Sequence, residues 1–289
     1  MKRVLFFLLA SAICLALLTG CGQQTSDSSP AATPAPEKQY VQSKESFQAS
    51  DDGRNIVGVS FLPTQFEGKL PTVVFCHGYA SSYMSGQSHG IYLAEHGWAA
   101  LMFDFCGGST MSKSDGDFEM MTVDSEMADL AEILAYVRSK DYVDSDKIVL
   151  IGESQGGFVS TWYTAAHPEE IRALVLLWPA FCIPENAALF ETTGVDMLGG
   201  ESEAHRASAA VYYGSETDTQ QSLSLPVLIF HGDADEIVDV KWSREASEAF
   251  PNCEYHELAG AGHGNLSAEQ KSFLQETMLQ FLEGLQRKS

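Results

Sequence analysis

The sequence predicts an α/β fold, a mostly parallel sheet covered by helices on both faces. Three observations predict it. Short apolar runs rich in β-branched residues recur at 72–76, 148–151 and 227–230, and buried parallel strands read this way. Stretches with apolar residues at helical spacing lie between those runs, as strand–helix alternation requires. One run, Ile148 to Ile151, enters Gly152-Glu153-Ser154-Gln155-Gly156 and continues into a helical pattern through Val159, Trp162, Tyr163 and Ala166. Strand, sharp turn and helix around G-x-S-x-G is the context of a nucleophile elbow.

The elements follow in chain order. Lys2 and Arg3 precede an apolar stretch, 4–18, too short to span a membrane comfortably. Leu18-Thr19-Gly20-Cys21 then resembles a bacterial lipobox. That resemblance implies cleavage before Cys21, lipid on Cys21, and a place in the cell envelope outside the cytoplasm, held to the membrane by that lipid. Residues 1–20 read as the signal peptide. Residues 21–39, mostly Gln, Ser, Thr, Pro and Ala, read as a disordered tether. The domain occupies 40–289. Strands are expected at 45–49 and 55–62 around the turn Asp51-Asp52-Gly53, then at 72–76 and 98–103 around a helix at 88–96. A helix over 122–139 places Met127, Leu130, Ile133, Leu134 and Val137 on one face, with its acids outside. After the elbow, the helix ends at His167-Pro168. Strands at 173–177, 227–230 and 254–258 and helices at 240–250 and 267–286 complete the pattern.

One segment breaks it. Residues 179–224 are irregular, with Phe181, Phe190, Met197, Tyr212 and Tyr213 scattered through them. So long an insertion reads as a lid that supplies walls to a site and nothing to its chemistry. The competing reading is a packed peripheral helix whose aromatics join the core.

A chain of 289 residues with 45% apolar content can build one large core. Its net charge of -22 argues against nucleic acid as a partner. Cys76, Cys106, Cys182 and Cys253 show no C-x-x-C or His/Cys spacing. They suggest no metal, and leave a disulfide open. No cofactor is expected.

An elbow serine needs a base, the base needs an orienting carboxylate, and the oxyanion needs donors. In chain order the acid follows the serine and the histidine comes last. The strand 227–230 runs into His231-Gly232-Asp233-Ala234-Asp235, where Asp233 and Asp235 both qualify. Gly260-Ala261-Gly262-His263-Gly264 precedes the last helix, so His263 is the expected base. His231 and His256 read as strand residues that pack, and His167 as a helix end. The oxyanion donors expected are the backbone N–H groups of Gln155 and of Tyr79, in the loop after the strand 72–76. His77 there reads as a loop brace.

These motifs together resemble the α/β-hydrolase fold, and within it the bacterial cinnamoyl or feruloyl esterases. The carrying residues are His77-Gly78-Tyr79; Phe103-Asp104-Phe105 with Gly107, Gly108 and Ser109; Ser114-Asp115-Gly116 with Met121-Thr122-Val123; Gly152 to Gly157; and His231 to Asp235 with Val238. The chain departs from many members at Tyr79 and Glu153, where Phe and His are common. The resemblance implies Asp235 as the acid, an insert over an aromatic acyl pocket, and a small-molecule ester as substrate. Two other readings share these motifs. A prolyl-oligopeptidase-like peptidase would carry a large extra domain before this one, for which the tether leaves no room. A non-catalytic binding lipoprotein would not need Ser, Asp and His in this order.

Overall fold

A computed structural model describes residues 39–195 and 201–287. The lipobox with Cys21 and nearly all of the expected tether lie outside the described residues, as does Met197 of the insert.

The sheet has eight strands in the order β1 (Tyr40–Gln48), β2 (Asn55–Pro63), β4 (Ala99–Phe103), β3 (Leu70–Cys76), β5 (Val143–Glu153), β6 (Ala173–Leu177), β7 (Val227–Gly232) and β8 (Cys253–Leu258). β1 and β2 form an antiparallel hairpin closed by Gln48 opposite Asn55, and β2 pairs antiparallel with β4. All other pairings are parallel. β1 begins five residues before the expected strand, at Tyr40 instead of Glu45. An edge strand is held by backbone pairing and needs no apolar run to announce it.

Alternation along the parallel strands splits the core in two. Val74, Cys76, Leu150, Leu176 and Ile229 face α2 (Val123–Arg138), α3 (Gln155–Ala166) and α7 (Lys241–Ala249). Val73, Phe75, Ile151, Leu177 and Phe230 face α1 (Gln87–Glu95) and α8 (Ala268–Gln286). α8 shows how the sequence specifies such a helix. Ser267 caps it, its hydroxyl accepting from Gln270 N–H while the Gln270 side chain returns to Ser267 N–H. Leu274, Met278, Leu282 and Leu285 then fall on one buried stripe. Each such side chain contributes about 1.5–3 kcal/mol on burial.

α2 differs from expectation. Its apolar face packs as predicted, but Glu126 and Asp129 turn inward and are fully buried. They share the stripe of Leu130, Ile133 and Val137, so their spacing, unlike their chemistry, points to the core. Asp129 accepts from Cys106 N–H at 2.7 Å and faces the Arg54 guanidinium at 3.2 Å, which offset only part of its burial, and the carboxyl is pushed up to about 6.

Among the described residues, the insert is helical, not irregular. It folds into α4 (Ile183–Thr193), α5 (Glu203–Ala210) and α6 (Glu216–Ser222). Segments this short leave little periodicity to read. Ala187 and Ala209 join the core on the α2–α3 side of the sheet. The aromatics divide. Phe181 is buried, Tyr212 packs edge-on against Phe158 and Trp162, and Tyr213 is exposed. Cys76, Cys106, Cys182 and Cys253 are all free thiols.

Candidate active site

The candidate residues all follow the C-terminal ends of parallel strands. Ser154 follows β5 near the middle of the sheet, Asp235 follows β7, His263 follows β8 and Tyr79 follows β3. A parallel sheet delivers its loops to one edge, where open α/β folds build their sites.

The elbow is as tight as its glycines predict. Ser154 has φ 53° and ψ -118°, a conformation that costs an L-residue about 1–3 kcal/mol. A Cβ on Gly156 would lie 2.1 Å from the Cys76 carbonyl oxygen, and one on Gly152 would lie 2.5 Å from that of Gly156. Both contacts are backbone and cannot yield. The serine N–H donates to Leu177 O, and its carbonyl accepts from the N–H groups of Gly157 and Ala180. The strain is therefore held from both sides.

On one flank of the serine, His263 Nε2 lies 3.0 Å from Ser154 Oγ and His263 Nδ1 lies 2.7 Å from Asp235 Oδ2. Asp235 Oδ1 accepts from the N–H groups of Ile237 and Val238 at 2.8 and 2.9 Å. Burial alone would raise this carboxyl. Hydrogen bonds from His231 and His263 and from Val238 N–H outweigh it and hold Asp235 below the ordinary carboxylate range.

Of the two aspartates the sequence left open, Asp235 reaches His263. Asp233 is exposed and accepts from Gly260 N–H at 2.5 Å, tying the acid turn to the histidine loop.

His231 does more than pack. Its Nε2 is 3.2 Å from Asp235 Oδ2 and 3.0 Å from Val238 O, while Nδ1 lies 2.6 Å from Ser243 Oγ. Asp235 thus sits between two imidazoles. Trp178, at the junction of β6 and the insert with φ 40°, presents its ring 6.3 Å from that of His263.

On the other flank, the loop after β3 runs close beside the serine. A Cβ on Gly78 would be 3.0 Å from Ser154 Cβ. His77 braces this loop as expected: its Nε2 accepts from Phe105 N–H at 3.1 Å, and its Nδ1 lies 2.8 Å from Gly78 O. The Tyr79 ring lies between Phe118 and His205, with centroids 5.2 and 5.3 Å away.

Gln155, the first residue of α3, is buried with its side chain held at both ends. Its Nε2 donates to Glu126 Oε2 at 2.8 Å, and its Oε1 lies 2.8 Å from His205 Nε2. Burial pushes the Glu126 carboxyl up to about 8, against the opposing bond from Gln155.

Sequence reasoning missed both of these partners. His205 sits in a segment that reads as irregular. Glu126 has the helical spacing of a core position, which is the signal that could have found it.

Comparisons with known proteins bear on the fold. Residues 71–199 match the family described as alpha/beta hydrolase fold. The chain is similar to the protein YtaP of Bacillus subtilis strain 168, being 29% identical over 158 residues that cover 47% of this chain and 52% of that protein. It is 22% identical to the esterase YjfP of Escherichia coli strain K12 over 191 residues, 64% of this chain and 76% of that one. It is 31% identical to the mitochondrial palmitoyl-protein thioesterase ABHD10 of Homo sapiens over 115 residues, 38% of this chain and 34% of that one. The matched segments thus span about half of YtaP and about a third of ABHD10. Among solved structures, Est1E from Butyrivibrio proteoclasticus with ferulic acid bound superposes with a TM-score of 0.71 at 25% identity, covering 83% of this chain and 99% of that one. The fold is the α/β-hydrolase fold.

Proposed function

We propose that this α/β-hydrolase-fold chain is a serine carboxylic ester hydrolase working through an acyl-enzyme. The observation that carries the reading is the pair of hydrogen bonds joining Ser154 Oγ, His263 and Asp235, at 3.0 and 2.7 Å, at a strained, half-buried elbow.

His263 Nε2 takes the Ser154 proton as Oγ attacks the ester carbonyl. Asp235 holds the proton on Nδ1 and stabilises the imidazolium. The N–H groups of Tyr79 and Gln155 stabilise the oxyanion, helped by the N-terminus of α3. As the tetrahedral adduct collapses, the imidazolium returns the proton to the departing alcohol. Water, deprotonated by His263, then attacks the acyl-serine. Collapse of the second adduct releases the acid and returns the proton to Ser154. No step calls for a metal or a cofactor.

The substrate reading is a hydroxycinnamate or other small acyl ester. Its support is the motif resemblance together with the likeness to a structure that binds ferulic acid. The screen that tests it uses the full-length chain in detergent against p-nitrophenyl esters, methyl hydroxycinnamates, palmitoyl thioesters and prolyl amides. Hydroxycinnamates should lead in kcat/KM, and Ser154→Ala should lower kcat by about 10⁴-fold or more. A Ser154→Ala variant within about tenfold of the parent would remove the triad reading.

For the N-terminus, the proposal is lipid on Cys21 and an extracytoplasmic, membrane-held enzyme, supported by the lipobox-like Leu18-Thr19-Gly20-Cys21. Cys21→Ser should abolish labelling by an alkyne fatty acid and change membrane fractionation. Unchanged labelling would exclude that site.

A further inference from the structure

We propose that His205, carried by the insert, is a positioning residue for the oxyanion hole. The inference rests on the ester-hydrolase reading and deepens it. Gln155 is assigned one oxyanion donor, its backbone N–H, and its side chain is pinned between Glu126 Oε2 and His205 Nε2, both at 2.8 Å. An amide oxygen can only accept, so His205 carries its proton on Nε2. Tyr79, assigned the second donor, lays its ring against the same imidazole at 5.3 Å and 62°. The residues bearing both donors therefore meet at one side chain that touches no reacting atom.

The imidazole is itself immobilised. His205 is fully buried, and its backbone N–H donates to the Ser202 hydroxyl at 3.1 Å. α5 packs into the core through Ala209. The insert thus reaches the oxyanion side of the serine by a polar contact as well as by any wall it forms. Displacing Gln155 at the first turn of α3 would tilt the N–H that must point at the oxyanion. Catalysis is sensitive to such displacements because these donors act only if preorganised.

The test uses the full-length chain in detergent with p-nitrophenyl acetate, whose acyl group makes few wall contacts. His205→Ala should lower kcat about 10- to 100-fold, less than the roughly 10²–10³ of losing a donor outright, with KM within about twofold. The inhibition constant of an alkyl trifluoromethyl ketone, whose adduct places an oxyanion in the hole, should rise by about the factor lost in kcat/KM.

His205→Gln can bring an amide N–H to the Nε2 position and should recover kcat to within about threefold of the parent, whereas His205→Asn is too short and should not. This pair decides the matter if His205→Ala does not fold, since equal kcat in the Gln and Asn variants overturns the proposal. A parent that takes up a fluorophosphonate at Ser154 and hydrolyses the ester, beside a folded His205→Ala with kcat within about twofold, overturns this inference alone. A parent that does neither overturns the catalytic reading on which it stands.

Discussion

The two flanks of Ser154 are built differently. On the proton-transfer flank, His263, Asp235 and His231 come from loops and strand ends of β7 and β8, and every link is a short hydrogen bond or ion pair within the sheet's own connections. On the oxyanion flank, Gln155 is held by Glu126 from α2 and by His205 from the insert, with Tyr79 packed beside them. The first flank depends only on the sheet. The second depends on a segment that α/β folds vary freely. The proton transfer and charge stabilisation of the proposed mechanism would thus draw on separate parts of the chain.

The largest test of this contrast falls on the sheet-borne flank. Asp235→Asn should lower kcat about 10⁴-fold by permitting the wrong tautomer of His263. Asp233→Asn, which touches only the Gly260 N–H, should cost less than about tenfold. Steady-state kinetics on one ester measures both. A reversed order would break the assignment of the flank.

Next comes the insert. If it supplied walls alone, replacing residues 179–224 by a Gly-Ser linker would spare small acyl groups. The contact between His205 and Gln155 predicts otherwise: kcat for p-nitrophenyl acetate should fall about 10- to 100-fold. Bulky aromatic esters should lose a further factor of up to about 200 from the missing walls. The comparison is made on protein whose cooperative melting shows that it folds. An unchanged rate on the acetate would mean that both flanks belong to the sheet.

The smallest effect concerns Glu126. Burial raises its carboxyl from 4.5 to about 8, so between those values the folded chain keeps a proton that the unfolded chain releases. Stability therefore falls as pH rises through that window. Glu126→Gln retains an acceptor for Gln155 and cannot titrate. Its melting temperature should gain on the parent as pH rises from 5 to 8, by about 2–4 °C for each kcal/mol recovered. A pH-independent difference between the two would show that Glu126 does not titrate in this window.

The proton-transfer flank was the legible one. Ser154 and His263 are announced by glycines at sharp turns and by their order along the chain, and the acid was narrowed to two residues. The sheet was legible for the same reason, since continuous β-branched runs such as Ile148–Ile151 have few other uses. On the oxyanion flank the expected donors Gln155 and Tyr79 were named, but the side chains packed around them were not. Glu126 was assigned to solvent by its charge although its spacing placed it inside. His205 lies on an eight-residue helix flanked by Ser, Glu and Gly, where neither periodicity nor motif marks a functional position. Partners of this kind meet only in three dimensions, from positions 29 and 50 residues away from Gln155. His231 was read as packing because its strand environment is apolar. A buried imidazole in such a place still needs polar partners, and that requirement was the clue.

Trp178 gives the site a built-in optical reporter. Its indole is buried at the root of the insert, against the loop that carries His263, with the two rings 6.3 Å apart. An imidazolium is a strong quencher of indole emission at such a range, whereas neutral imidazole is a weak one. The charge that the proposed mechanism places on His263 would therefore arise next to a chromophore the chain already owns. Displacement of the insert at its junction with β6 would move that same chromophore. With Trp98, Trp162 and Trp242 replaced by Phe, chemistry on one flank and motion of the segment supporting the other would thus be recorded in one emission band, without a label.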